Sequence, residues 1–341
     1  MGAGERPGRR SGVQLLGRRP TMVDVAREAG VALKTVSRVV NDEPGVRPAT
    51  AERVNRAIAR LRYRRNDLAR RLRSHAPTAT IGLVLEDVTS PRSAAILGGV
   101  EEVVRELGWL VIAASCGDDA GRERRLVTAM VERQVDGLLV VPVGADHRYL
   151  TSEVRRGTPA VFLDRPPTGI EADTVLLDER IGARAAVAAL LRAGHRVGAV
   201  GGDAAPALAQ RAAGWRDALL AVGIAPEAAP AWLHVSDEAG AAAAVDALLT
   251  APEPATAVVA LSDRLAPAVI RAVASAPARR QPVVVFTRLP LADLLPLPVW
   301  TVDHDPADLG RRGAELLLDR LDGNAGPARR VLVPTTVVAP R

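Results

Sequence analysis

The sequence predicts a small all-α helix-turn-helix domain followed by an α/β body of two doubly wound parallel-sheet lobes. Three observations carry this. The first 78 residues are basic and hold apolar residues at helical spacing; from residue 79 short apolar strands alternate with helix-like segments; and 341 residues, 48% hydrophobic, leave room for one small and two medium domains.

Taken in order, residues 1–20, rich in Arg and Gly, read as a disordered basic tail. Thr21 caps a first short helix, with Asp24 three residues on in the capping-box position, near the positive end of the helix dipole. Val25, Ala26 and Ala29 form its inner face, and Gly30 supplies the permissive backbone that stops it. Val31 opens a turn into a second helix, 33–40, where Val36, Val39 and Val40 at i, i+3 and i+4 must face inward. Leu33, Lys34, Ser37, Arg38 and Asn41 then point out. Outward donors near the start of such a helix are what readout of base edges in the DNA major groove needs. A third helix closes the core with Val54, Ala57, Ile58 and Leu61, leaving Arg53, Arg56, Arg60 and Arg62 outside the stripe. The same stripe also fits a plain three-helix bundle with a solvated basic surface.

Charge is an independent argument. Residues 1–78 hold 18 basic and 7 acidic side chains, a net of +11, against 27 basic and 32 acidic in the remainder, a net of −5. A basic head on a mildly acidic body is the electrostatic footprint of a phosphate-binding module. Lys34 is the only lysine of the chain and stands at an outward position of the second helix.

In the body, strands are expected at 81–85, 110–114, 137–141, 160–163, 175–177, 197–200, 258–261, 283–286 and 331–333. Their alternation with helices argues parallel sheets covered on both faces. About 260 residues is long for one open sheet, so the Asp178 region reads as the crossing between two lobes. Ligands of such sheets sit at the carboxyl ends of the strands. Asp164 in VFLDR and Asp263 in ALSDR stand at strand ends, and Arg211 in QRAAGW at a helix start. Two carboxylates and a guanidinium suit the vicinal hydroxyls of a sugar, although each alone also reads as a strand-end cap or a surface ion pair.

The amino-terminal segment resembles the LacI/GalR family of bacterial transcription regulators through Thr21, Asp24, Val25, Ala26, Ala29, Gly30, Val31, Thr35, Val36, Ser37, Arg38, Val39 and Asn41, and continues in Tyr63, Asn66, Ala69, Arg70 and Leu72 of the family's hinge. The resemblance spans roughly residues 21–340. It implies a helix-turn-helix domain over 21–65, a hinge over 66–78, and a periplasmic-binding-protein-like effector and dimerisation domain over 79–341. In that architecture the chain crosses back near residues 303–305, a helix around 309–321 returns to the first lobe, and the last strand closes the second. The resemblance also implies DNA contacts by Thr21, Leu33, Lys34, Thr35, Ser37, Arg38, Asn41, Asn66, Ala69 and Leu72, and ligand contacts by Asp164, Arg211 and Asp263.

The departures matter as much. Ala32 and Arg47 stand where the family places side-chain caps, each worth about 1 kcal/mol, with Pro48 a partial substitute in the first turn of the third helix. Arg65 replaces the hinge proline. In the cleft the family's N-P-F reads Ser90, Pro91, Arg92, Ser262 precedes Asp263, and G-F-D-D becomes Val285, Phe286, Thr287, Arg288. Ser90, Arg92 and Arg288 are therefore also expected to face the effector, and the two arginines favour an anionic sugar derivative over a neutral sugar. Aromatics are 2% of the chain, leaving Trp215, Trp232 and Phe286 as stacking candidates.

The function that emerges is a sequence-specific transcriptional regulator of the repressor type. It is expected to bind a pseudopalindromic double-stranded operator as a homodimer and to be controlled by a small-molecule effector held between two lobes. A solute-binding protein would share the two-lobe body but has no use for the basic head. No apolar run reaches the ~18 residues of a membrane span, so a cytoplasmic protein without membrane partners is expected. Cys116, the single cysteine, reads as a small packed hydrophobe, and His75, His147, His195, His234 and His304 show no ligand spacing, so neither metal nor cofactor is expected. The sequence holds no G-x-S-x-G and no phosphate loop, and an enzyme is not expected.

Overall fold

The computed structural model describes residues 20–41, 43–63, 77–202, 206–276, 281–289 and 292–340. They belong to two compact units, divided between Ala76 and Pro77. The expected basic tail, Pro20 excepted, and most of the expected hinge lie outside the described residues.

The smaller unit is a three-helix arrangement: α1 (Met22–Ala29), α2 (Leu33–Val40) and α3 (Pro48–Leu61). Val25, Ala26, Ala29, Val36, Val54 and Ala57 are buried together, with Val39, Val40, Ile58 and Leu61 packed against them. The capping box forms as expected: the Thr21 amide donates to Asp24 Oδ2 at 2.8 Å and the Asp24 amide to Thr21 Oγ1 at 3.4 Å. Gly30 ends α1 in the left-handed region, at φ 63°, where an L side chain would be strained. Ala32 and Arg47 provide no side-chain cap to α2 and α3, and Pro48 takes the first turn of α3.

In the larger unit the alternation is β1 (Thr80–Leu85), α4 (Pro91–Arg105), β2 (Leu110–Ser115), α5 (Ala120–Glu132), β3 (Gly137–Val140), α6 (Thr151–Arg155), β4 (Ala160–Leu163) and β5 (Asp173–Leu177). It continues through α7 (Glu179–Arg192), β6 (Val197–Val200), α8 (Pro206–Leu220), β7 (Ala231–Trp232), α9 (Glu238–Thr250), β8 (Ala257–Ala260), α10 (Ala266–Ser275), β9 (Val283–Val285) and β10 (Val299–Asp303). Then come α11 (Pro306–Leu321), β11 (Arg330–Val333) and β12 (Thr336–Val338). Among the described residues these make two six-stranded sheets, ordered β11-β5-β4-β3-β1-β2 and β12-β10-β9-β8-β6-β7. Pairing is parallel except where β12 runs antiparallel to β10, Thr301 opposite Val338. Because β1 pairs β2 on one side and β3 on the other, the strand order reverses there, and the crevice beyond the strands' carboxyl ends is the natural ligand position.

Apolar residues cover each sheet on both faces. Ile96, Val100, Leu309 and Leu317 of α4 and α11 pack on one face of the first sheet, and Val127, Met130 and Leu150 on the other. The second sheet lies between Ala183, Leu190, Ala212 and Trp215 of α7 and α8, and Ala244, Leu248 and Val269 of α9 and α10.

The chain passes between the lobes at Asp178, at His304 and Asp305, and between β11 and β12. The first and last of these are tied together: the Thr335 hydroxyl donates to the Asp178 carbonyl at 3.1 Å, and the Asp178 amide to the Val333 carbonyl at 2.9 Å. The expected strand 331–333 does not close the second lobe. It pairs with β5 in the first, Val331 opposite Val175, and β12 closes the second.

The helices α4 and α11 touch through glycines. A Cβ on Gly99 would stand 2.0 Å from the Ala307 carbonyl oxygen, and one on Gly310 2.1 Å from that of Ile96. Gly98, one residue earlier, is exposed with nothing within 4 Å. Adjacent substitutions should therefore have opposite signs in urea melts: Gly98→Ala gains about 0.5–1 kcal/mol from helix propensity, while Gly99→Ala forces the helices apart and loses about 1–3 kcal/mol.

Candidate functional site

Two sites emerge. In the smaller unit, the inward valines of α2 leave its first turn outside: Leu33 is 49% exposed and Lys34 is exposed beside it. An exposed leucine and an ammonium at the positive end of a helix dipole have no structural task there, and both suit base edges and phosphates. Thr35, Ser37, Arg38 and Asn41 are half-buried, and the Asn41 side-chain amide donates to Ser37 Oγ and Glu43 Oε1, each at 3.3 Å. Thr21 is used in its capping box. Asn66, Ala69 and Leu72 lie outside the described residues.

The second site is the cleft at the carboxyl ends of the strands. From the first lobe, Ser90 caps α4, its hydroxyl accepting the Ser93 amide at 3.1 Å, and Arg92 in the first turn forms an ion pair with Asp164. Asp164, just past β4, holds φ 68°, a sparsely populated conformation for a residue with a side chain. Its neighbour Arg165 reaches Glu86 Oε2 at 3.4 Å. Burial pushes the Glu86 carboxyl upward against the pull of Arg165, with Asp118 and Asp164 adding to the rise.

From the second lobe comes Arg211, one turn inside α8 rather than at its start, and 5% exposed. All five guanidinium N–H groups have acceptors: Nε to Glu179 Oε2 (2.9 Å), Nη1 to the Leu261 carbonyl and Asp263 Oδ1 (both 3.0 Å), Nη2 to Glu179 Oε1 (2.8 Å) and Asp263 Oδ2 (3.1 Å). The guanidinium lies 4.4 Å from the centroid of the buried Phe286 ring. Burial opposes its charge, but Glu179 and Asp263 outweigh burial and keep it cationic. Arg211 thus holds Asp263 in place and has no donor left over. The Asp263 side chain is 43% exposed, so its carboxylate stays open to a ligand.

His304, in the crossing between β10 and α11, had no signal in the sequence beyond its position near the expected crossing. Its Nε2 is buried and without a hydrogen-bond partner among the described residues. Charges from both lobes converge on the ring: burial and Arg92 lower its pKa, and Asp164, Asp303 and Asp263 offset this only in part, so the ring is neutral at pH 7. Glu123, also unforeseen, is fully buried beneath the cleft wall and accepts the Val143 and Gly144 amides at 2.6 and 3.1 Å and the Tyr149 hydroxyl at 3.0 Å. Burial works against its charge, yet His147, with Nε2 3.3 Å away, and the two amide bonds hold the carboxyl below the usual range.

Arg92 is paired with Asp164, and Arg288 is 85% exposed with the Asp303 carboxylate 3.9 Å away. Of the stacking candidates, Trp215 and Phe286 are core residues of the second lobe, and Trp232, 38% exposed, lies at the carboxyl end of edge strand β7. Among the described residues no group of His, Cys, Asp and Glu could hold a metal ion, and no helix is long and apolar enough to cross a membrane.

With this geometry in view, comparison with known proteins is decisive. The profile of bacterial regulatory proteins, lacI family, matches residues 21–66, and that of periplasmic binding proteins and sugar binding domain of LacI family matches residues 78–339. The chain belongs to the lacI family of bacterial regulatory proteins. The Haemophilus influenzae ribose operon repressor is 32% identical over 327 residues, covering 93% of this chain and 97% of that protein. Among solved structures, a complex of the transcriptional regulator CelR with cellobiose is 29% identical with a TM-score of 0.62, covering 94% of this chain and 99% of that one. A lac repressor dimer bound to operator and an anti-inducer, at 24% identity, shares the fold with a TM-score of 0.72 over 94% of this chain and 98% of its own. As a lacI-family member the chain is a DNA-binding transcriptional regulator, with α1 and α2 as its helix-turn-helix and the two lobes as its effector-binding domain.

Removing one partner from a buried ion pair leaves the other charge uncompensated. Arg211→Met should cost about 3–5 kcal/mol in denaturant melts, and adding Glu179→Gln should recover a large part of it. An additive double mutant would mean that Glu179 does not depend on Arg211.

Proposed function

We propose that the protein is a homodimeric repressor, acting in the cytoplasm, whose paired heads read the half-sites of a pseudopalindromic operator and whose operator affinity is set by a neutral, hydroxyl-rich sugar held in the cleft. The observation that carries this is the union in one chain of a basic helix-turn-helix, Leu33 and Lys34 outward, with a two-lobed body whose cleft holds the Asp263 carboxylate, 43% exposed, and the Arg92 and Arg211 guanidiniums each paired with a carboxylate. A single head buries too little DNA for tight specific binding, so two-fold pairing is the economical route to specificity. The domain division follows the same logic: head over 21–65, hinge over 66–78, effector and dimerisation domain over 79–341.

A neutral sugar brings hydroxyl donors to Asp263 and Asp164, and its hydroxyl oxygens suit a protonated nitrogen of the neutral His304 ring. Arg211 and Arg92 act on it indirectly, by orienting those carboxylates. That relatives are a ribose operon repressor and a regulator solved with cellobiose supports a saccharide.

Selection of duplexes from a random pool by the full-length protein tests the DNA half. An inverted repeat should emerge, retained with a steep salt dependence by a species that sediments as a dimer. Arg38→Ala should lose about 1–3 kcal/mol and relax preference at one position of each half-site. A uniform loss across all sequences would make Arg38 a phosphate contact.

A thermal-shift panel tests the effector half, because a ligand that binds only the native state raises the melting temperature. Neutral pentoses, hexoses and disaccharides are expected to contain the stabilising compound, with the shift abolished in Asp263→Ala. Stabilisation by sugar phosphates alone, lost in an Arg92→Ala, Arg288→Ala double mutant, would restore the anionic reading.

A further inference from the structure

Where the chain enters its larger unit, after residues 64–76, it is held by one carboxylate. The Thr78 amide donates to Asp136 Oδ1 at 2.8 Å, the Thr78 hydroxyl to Asp136 Oδ2 at 2.9 Å, and the Thr80 amide to the same Oδ2 at 3.0 Å. The Thr78 hydroxyl also lies 3.0 Å from the Gln134 carbonyl. The Asp136 amide returns a bond to the Thr80 carbonyl at 2.8 Å, one residue before the β1–β3 register begins with Ile81 opposite Gly137. Between the two clamped threonines Ala79 adopts φ 53°, and Gln134, two residues before Asp136, adopts φ 59°.

Both angles are uncommon for residues with a side chain, and such conformations persist where surrounding bonds over-determine them. Gln134 has an ordinary reason: it ends α5, the Val135 amide closing the helix on the Met130 carbonyl at 3.3 Å. Ala79 has none of that kind. It lies in no helix end; its carbonyl accepts the Leu110 amide at 2.9 Å, and it is flanked on both sides by bonds to Asp136. A strand that only had to begin would not need a left-handed alanine held by three hydrogen bonds.

The clamp also stands at the far end of the strands that build the cleft. Strand β1 runs from Thr80 to Leu85 and delivers Glu86, the partner of Arg165; β3 runs from Gly137 to Val140 and delivers Val143 and Gly144, whose amides Glu123 holds. The two strands are direct neighbours in register. The cleft ends of β1 and β3 and the ends that Asp136 bonds to the incoming chain belong to one hydrogen-bonded pair of strands.

We propose that Asp136 is the positioning residue that fixes the course of the chain where it leaves the DNA-binding segment, so that operator affinity depends on this carboxylate although it contributes no DNA contact. The inference rests on the assignment of the chain as a DNA-binding regulator.

The test uses the full-length protein and the duplex it selects from a random pool, with affinity measured at one fixed salt concentration. Asp136→Ala, which removes all three bonds, should weaken operator binding at least tenfold. Asp136→Asn, which keeps one acceptor oxygen, and Thr78→Val, which loses only the hydroxyl, should fall between it and the parent chain. Amide exchange in Asp136→Ala should speed up at Thr78 and Thr80 while the strand interior stays protected. Asp173→Asn is the control for simple destabilisation, since Asp173 is buried and bonded to Arg320 and Arg329 in the same lobe. It should lower the melting temperature and leave operator affinity as it was. Parent-like affinity in a folded Asp136→Ala protein would overturn the proposal, as would an equal affinity loss in Asp173→Asn. Should Asp136→Ala not fold, Asp136→Asn and Thr78→Val decide, and parent-like affinity in both would also overturn it. If the parent chain selected no duplex at all, the DNA-binding assignment would fail first and take this inference with it.

Discussion

The constraint on which the body depends is that a parallel sheet has to be covered on both faces. Crossover helices are the only economical way to do this within one chain. Here each sheet lies between two apolar clusters, one per face. Close approach of the covering helices is bought with glycine: Gly99 and Gly310 between α4 and α11, and Gly214 between α7 and α8, where a Cβ would stand 2.2 Å from the Arg180 carbonyl oxygen. With both faces apolar, polar chemistry is left to the strand ends.

The cleft is built by matching charges rather than by exposing them. Arg211 is saturated by Glu179, Asp263 and the Leu261 carbonyl, and Arg92 is paired with Asp164. Burying an unpaired guanidinium would be prohibitive, whereas one with five acceptors both survives burial and fixes its partners' geometry. The role of such an arginine is then orientational. It fixes the orientation of Asp263, whose side chain is 43% exposed at the cleft. The same logic places Glu123 under the opposite wall, where two backbone amides and Tyr149 define the loop after β3.

Much of this was legible in the sequence, for identifiable reasons. Strands β4 and β6 coincide with the expected 160–163 and 197–200 because each is a short, fully buried apolar run bounded by turn residues. The capping box and the Gly30 stop were readable from local chemistry, and the crossing at Asp178 from the length of the α/β body. Strands β7, β10 and β12 were not. The first has two residues, β10 mixes Trp300, Thr301 and Asp303 into its valines, and β12 is half exposed, so none carries a continuous apolar signal. In the site, residue types were readable but pairings were not. Glu179 and Arg211 lie 32 residues apart on different helices, and Glu123 sits in an arginine-rich run that reads as a solvated helix face. Whether a guanidinium in a cleft is open to a ligand depends on those partners, which lie far apart in the sequence.

Backbone strain marks the same places by another route. Among the described residues four without a glycine's freedom take positive φ: Arg62, Ala79, Gln134 and Asp164. Two end helices, where a left-handed residue satisfies the last carbonyls at modest cost: Arg62 closes α3 where the chain leaves the helix-turn-helix unit, and Gln134 closes α5. Ala79 and Asp164 are not at helix ends. Each must cost about 1–2 kcal/mol relative to an ordinary conformation, and each is held by bonds on either side, Ala79 through Asp136 and Asp164 through its own amide on the Val175 carbonyl at 2.8 Å. One stands where the chain enters the regulatory body and the other where a ligand would meet it. Both positions keep a side chain in a conformation that glycine would adopt without strain, one at each end of the first lobe's sheet.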